Sequence, residues 1–192
     1  MNKICFVTGN KNKLREVQKL LFSHHLLSLE DLNFKDEILE TEDTIEGNAL
    51  LKADHIYKKF KINCFSDDTG LFVESLDGQP GVKSARFAGE GCNSDDNIRL
   101  VLEKLDGLEN RNAVFRTVIC LIINGVTNYF HGEVNGIITK EKAGDKGFGY
   151  DPIFIPEGFN KTFSEFALEE KNKLSHRAIA VRKLVKFLNK YE

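Results

Sequence analysis

Proline occurs three times in 192 residues, and the charges, 27 Lys and Arg against 29 Asp and Glu, are mixed along the whole length. There is no low-complexity tract, internal repeat or Pro/Ser-rich linker at which to divide the chain. Residues 1–192 therefore read as a single domain able to bury one sizeable core, with room for two lobes. A formal net charge of -2 lacks the basic excess that suits a nucleic-acid backbone or an anionic membrane, so neither is an expected partner. No apolar run approaches the roughly 20 residues of a membrane span, and the opening MNKICFVTGN turns polar too soon for a signal peptide. The four cysteines, Cys5, Cys64, Cys92 and Cys120, form no C-x-x-C pair and lie mostly in apolar runs. They read as small buried hydrophobes of a reducing, cytoplasmic compartment. His24, His25, His55 and His131 show no ligand spacing, which argues against zinc. Walker and dinucleotide glycine signatures are also missing.

What is present is alternation. KICFVT, Lys3 to Thr8, is an apolar strand that stops at Gly9-Asn10, after which Leu14, Val17, Leu20 and Leu21 recur at helical spacing. Glu46 to Phe60 repeats that period through Ala49, Ala53 and Ile56 and runs into a second strand, INCFSD. Ser94 is placed to cap SDDNIRLVLEKL, with Asp95 and Asp96 in its first turn. NAVFRTVICLII and VTNYFHGEV, joined by Asn124-Gly125, predict a hairpin. SHRAIAVRKLVKFLNKY closes the chain as an amphipathic helix opened by Ser175. The expected fold is α/β: a mixed β-sheet with a long central hairpin, two lobes flanked by helices, and an active site in the cleft between them.

Two helix starts break a local rule. Helix N-termini favour acids, yet Lys11 and Lys13 crowd the first turn after TGN, and His176 and Arg177 follow Ser175. Each misplaced cation gives up about 0.3 to 1 kcal/mol at an exposed site, which a bound anion would restore. The strand end at Thr8, Gly9 and Asn10 is where α/β folds gather ligands.

SDDTG, Ser66 to Gly70, sets two carboxylates at the mouth of an apolar strand. The strand period sends Asp67 and Asp68 to opposite faces, so one is the working group and the other a structural partner. Gly70 is expected to let the backbone turn close by. A carboxylate that meets phosphates needs a cation such as Mg²⁺, and EILETEDTIEGN, Glu37 to Asn48, supplies further acids. In KGFGYDPIF, glycines flank Phe148 and Tyr150, which fits either a ring presented to a nucleobase or a turn that plugs the core.

Together, TGN with Lys13, SDDTG, FGYDP and SHR resemble the inosine triphosphate pyrophosphatase family, enzymes that act on dITP, XTP and other non-standard purine nucleoside triphosphates. The likeness runs in family order from residue 4 to about 188. It implies a phosphate loop at Thr8, Gly9, Asn10, Lys11, Asn12 and Lys13, catalytic Asp68 and Lys52, and a substrate contact at Thr69. It also implies a base loop at Phe148, Gly149, Tyr150 and Asp151, with Lys171, His176 and Arg177 beyond it. Mg²⁺ would be held by Asp68 and Glu40, with Glu37 as the alternative. The implied activity is Mg-dependent hydrolysis of ITP, dITP and XTP to monophosphate and pyrophosphate by a homodimer. The alternatives are a Maf-like pyrophosphatase of other base specificity and a nucleotide-binding module without turnover. The chain departs from the pattern where TFEENA reads TIEGNA, Thr44 to Ala49, and where TG reads Thr41-Glu42.

Overall fold

The computed structural model describes residues 3–22 and 24–190. Its strands are β1 (Lys3–Val7), β2 (His25–Leu27), β3 (Cys64–Val73), β4 (Pro80–Gly81), β5 (Asn112–Ile123), β6 (Val126–Ile138) and β7 (Phe154–Pro156). Its helices are α1 (Lys11–Gln18), α2 (Ile45–Phe60), α3 (Ser94–Lys104), α4 (Leu168–Leu174) and α5 (His176–Leu188). The strands join one mixed sheet in the order β2, β1, β3, β5, β6, β7, with β4 paired to β3. The chain divides into two compact units, one of Met1–Asp68, Thr117–Gly132 and Arg177–Glu192, the other of Thr69–Arg116 and Glu133–His176.

In the first unit, β1 runs parallel to β2 and to β3, with Cys5 opposite Cys64 and Val7 opposite Ser66. Strand side chains alternate in direction, and this sorts them into two cores. Ile4, Phe6, Phe65, Ile119 and Leu121 pack against Val17 of α1 and Val181 and Leu184 of α5, with the Phe6 and Phe65 rings stacked at 4.7 Å. Cys5, Val7, Cys64, Cys120 and Ile122 pack against Ala49, Ala53 and Ile56 of α2. The three cysteines are free thiols, buried as expected, and burial pushes each up to about 12. Cys92 is exposed. The hairpin turn forms where predicted, with Asn124 at φ 50 and Gly125 at φ 81, the pair of positive values that a tight two-residue connection demands.

The second unit packs Ile98 and Val101 of α3, with Leu105 at its C-cap, against Phe115, Ile138, Phe154 and Phe163. Arg111 ties it together through carbonyls of Ile138, Leu105 and Thr139 at 2.7, 3.0 and 2.7 Å. Two local expectations are corrected. The cap of α3 is Asn93, whose side chain accepts from the amides of Asp95 and Asp96, and Ser94 is already helical. No turn follows SDDTG, because β3 continues to Val73; a Cβ on Gly70 would stand 2.6 Å from the Gly81 carbonyl oxygen, so this glycine admits β4 rather than bending the chain. Among the described residues, no helix is long and apolar enough to cross a membrane.

Candidate active site

The alternation that sorts the cores also sorts the two aspartates. Phe65 and Asp67 face the α1/α5 side, and Cys64, Ser66 and Asp68 face α2, where the Ser66 hydroxyl donates to the Ala49 carbonyl. Asp67 accepts from Lys13 Nζ at 3.0 Å and from Arg177 Nε at 2.8 Å. Arg177 also donates through Nη1 to Glu16 Oε2 at 2.5 Å. Asp68 Oδ1 lies 3.3 Å from Lys52 Nζ, which also donates to Glu40 Oε1 at 2.5 Å. The expected asymmetry is therefore present, with Asp67 inside a buried ionic network and Asp68 beside a lysine and a second carboxylate.

These surroundings set the charges. Burial alone would raise Asp67, but Lys13 and Arg177 outweigh it and hold the carboxyl far below the usual range. Asp68 moves the other way: burial raises it, and Lys52 and Lys13 offset that only in part, with Glu40 and Asp67 adding to the rise. Burial lowers Lys13, partly offset by Asp67. Burial would lower Lys52 too, but Asp68 and Glu40 outweigh it and keep the ammonium firmly charged.

Asp68 also tests the fit of a metal. Its Oδ2 is buried and has no hydrogen-bond partner, which leaves a hard oxygen ligand unused. Lys52 supplies one positive charge against the two carboxylates of Asp68 and Glu40. Mg²⁺ favours such a place, taking one or two protein carboxylates and completing its shell with waters and substrate phosphates. No group of three or more His, Cys, Asp or Glu suited to a metal occurs among the described residues. Glu37 is exposed and Glu40 is the acid brought to Lys52.

Residues 8–13 form the expected strand end, turn and helix start. Gly9, Asn10, Lys11 and Asn12 are exposed and Thr8 is half-buried. Asn10 Oδ1 accepts from the Asn12 and Lys13 amides, and Thr8 Oγ1 accepts from the Asn10 amide. Of the residues that break the dipole rule, Lys13 and Arg177 meet protein carboxylates: side chains long enough to leave their own helix ends reach Asp67 instead.

In the second unit the FGYDP loop divides its labour. Tyr150 is the core plug, 5% exposed, with its hydroxyl donating to the Ser84 carbonyl at 2.9 Å. Asp151 accepts from the Phe148 amide at 2.9 Å and from Lys171 Nζ at 2.6 Å. Lys171 Nζ lies 4.9 Å from the centre of the half-buried Phe148 ring. Gly147 has φ 75 and packs so tightly on the Asp151 carboxylate that a Cβ would overlap it. Gly149 has open space beside it, and Thr69 is half-buried in β3. His176 is buried and stacked on Phe115, ring centres 4.6 Å apart.

Sequence reasoning missed Glu16 and Asn48. Glu16 stands three residues after Lys13 and beside Val17, an acid at the edge of an apolar stripe, which was the available signal. A cavity of about 750 Å³ in the second unit, lined by Phe72, Arg116, Ile137, Ile155 and Phe159 among others, contains none of the residues singled out above. Volume alone does not find this chemistry.

Residues 4–187 match the model of the Ham1 family. The chain is 51% identical over 187 residues to a dITP/XTP pyrophosphatase of Flavobacterium johnsoniae, covering 97% of each chain. It is 47% identical over 190 residues to the protein of that name from Porphyromonas gingivalis, covering 98% of each. Among solved structures, the Staphylococcus aureus Ham1 protein superposes with a TM-score of 0.90 at 34% identity and full coverage of both chains. A HAM1 protein from Coxiella burnetii gives 0.91 at 35%, covering 99% of this chain and 100% of that one. The family model, the relatives and the fold agree over nearly the whole length: the chain belongs to the Ham1 family.

Proposed function

We propose that this chain hydrolyses deaminated purine nucleoside triphosphates, ITP, dITP and XTP, to the monophosphate and pyrophosphate, removing them from the nucleotide pool. The reading takes residues 1–192 as one Mg-dependent domain acting in the cytoplasm as a homodimer. The observation that carries it is Asp68: a buried carboxylate with an orphaned oxygen, one strand position from a neutralised Asp67 and shared with Lys52 and Glu40. The names of the relatives support the substrate class.

Bound at Asp68 and Glu40, Mg²⁺ would neutralise phosphate oxygens and polarise the phosphorus under attack. The chain's own residues do the rest. Asp68 orients the attacking water and takes its proton, a role suited to a carboxylate whose proton affinity burial has raised. Water oxygen bonds to phosphorus as the bridging α–β oxygen departs with pyrophosphate. Lys52 and Lys13 offset the charge that builds on that leaving group. Thr8, Gly9, Asn10, Lys11 and Asn12 hold the phosphates, and Thr69 is a further contact. Phe148 stacks on the base, with Lys171 beside its ring and Gly149, Tyr150 and Asp151 fixing the loop. His176 and Arg177 are assigned to the base through the SHR motif. A cationic donor favours a 6-keto oxygen and leaves the amino group of adenine facing another donor, an unpaired buried contact.

The test is product identity. Incubated with ITP and Mg²⁺, the protein is expected to release IMP and pyrophosphate in equal amounts. Release of IDP and phosphate, or tight ITP binding without product, would rule the reading out.

A further inference from the structure

We infer that Asn48, working with the contact between Glu42 and Gly47, is the device that sets the Glu40 carboxylate in place. The inference rests on reading Glu40 as a metal-site carboxylate. Glu40 belongs to a stretch between β2 and α2 that forms no helix or strand. A charged side chain on such a segment needs tethers if it is to be held at one position, because ordering backbone costs about 1 to 2 kcal/mol per residue.

The tethers are at the start of α2. Asn48 is fully buried, and its amide makes a reciprocal pair with the main chain of Glu42: Nδ2 donates to the Glu42 carbonyl at 3.1 Å and Oδ1 accepts from the Glu42 amide at 3.0 Å. Thr44 Oγ1 accepts from the Gly47 amide at 3.0 Å and so caps the helix. Gly47 lies directly under Glu42, where an added Cβ would stand 2.7 Å from Glu42 Cβ and 3.0 Å from its Cγ. A side chain at 42 is tolerated because there is none at 47.

The register explains the purpose. Lys52 is one helical turn beyond Asn48 on the same face of α2, and Glu40 is two residues before the tethered Glu42. Fastening position 42 to position 48 therefore brings Glu40 to Lys52, as observed at 2.5 Å. Only a side chain with both a donor and an acceptor can make this pair; Asp in its place keeps the acceptor and loses the donor. Asn48, Gly47 and Glu42 are thus positioning residues.

The experiment compares wild type, Asn48→Asp, Gly47→Ala, the double variant Glu42→Gly/Gly47→Ala, and Glu40→Gln as reference. Two readouts are taken: hydrogen exchange of the Glu42 amide in the free protein, and the Mg²⁺ concentration for half-maximal rate. Asn48→Asp and Gly47→Ala are expected to speed Glu42 exchange at least about tenfold and to raise the Mg²⁺ requirement by about 10 to 100-fold, the range for groups that orient a metal ligand, with a smaller change in nucleotide KM. The double variant is expected to recover most of both losses. Unchanged Glu42 exchange in Asn48→Asp, or a double variant no better than Gly47→Ala, overturns the inference. If Glu40→Gln leaves the Mg²⁺ requirement unchanged while Asn48→Asp still frees the Glu42 amide, the metal reading of Glu40 fails and the tether stands.

Discussion

Arg177 donates to Asp67 across 2.8 Å while its other arm reaches Glu16, and all three side chains are almost fully buried. With Lys13 on the other oxygen of Asp67, two cations meet two carboxylates. Removing one member leaves an uncompensated buried charge, which generally costs about 3 to 5 kcal/mol. Glu16→Gln and Asp67→Asn are each expected to lower the denaturation free energy by about that much, checked by urea unfolding. The double variant, which strips Arg177 of both carboxylates, should lose at least the sum of the single losses.

The same network fixes a pH dependence. The folded value of Asp67 is depressed, so its contribution is fully present above the unfolded value near about 3.9 and fades as pH falls toward the folded one. Thermal unfolding followed from pH 6 to pH 2 should show stability dropping below about pH 4 in the wild type. In Asp67→Asn, already weaker at pH 6, that drop should be shallower; an identical slope would mean that Asp67 is not the titrating group.

Asp68 should behave in the opposite sense. Its folded value is raised, so its surroundings favour the neutral form, and the ionised carboxylate is a liability to the fold at neutral pH. Asp68→Asn is expected to reduce kcat by about 10² to 10⁴-fold, as for loss of a general base, while leaving Tm at or above that of the wild type. In the wild type, the acid limb of kcat/KM should lie above the ordinary aspartate range. Loss of activity with an equal loss of stability would assign Asp68 to structure.

In the second unit, Asp151 holds the Phe148 amide and Lys171 together. Asp151→Asn is expected to free the loop, raise the KM for ITP more than it lowers kcat, and destabilise the protein by about 3 kcal/mol through loss of the buried Asp151–Lys171 ion pair. Phe148→Ala should raise KM with little change in stability, because that ring is only half-buried. Steady-state kinetics and urea unfolding on the two variants separate these effects.

Much of this was legible in the chain. Period-two and helical patterns located β1, α1, α2, the hairpin and α5, and strand parity alone divided Asp67 from Asp68. What could not be read was long-range. Glu16 and Arg177 are 161 positions apart, and nothing local to either announces the other. The cation-bearing helix starts predict an anion, but sequence spacing does not show which carboxylate is in reach, and in the fold it is Asp67. Tyr150 and Phe148 each follow a glycine in one loop, and only packing tells that one fills the core. Two of the departures from the family pattern, Glu42 and Gly47, form a single contact, because a side chain at one position occupies the space needed at the other.

The most direct test is a comparison of kcat/KM for ITP, XTP, dITP, GTP and ATP in the presence of Mg²⁺, read as pyrophosphate release. The 6-keto deaminated purines are expected to exceed ATP by at least about 10²-fold, the scale set by leaving a buried donor unpaired. Equal turnover of ATP and ITP would contradict a site built to recognise the keto group.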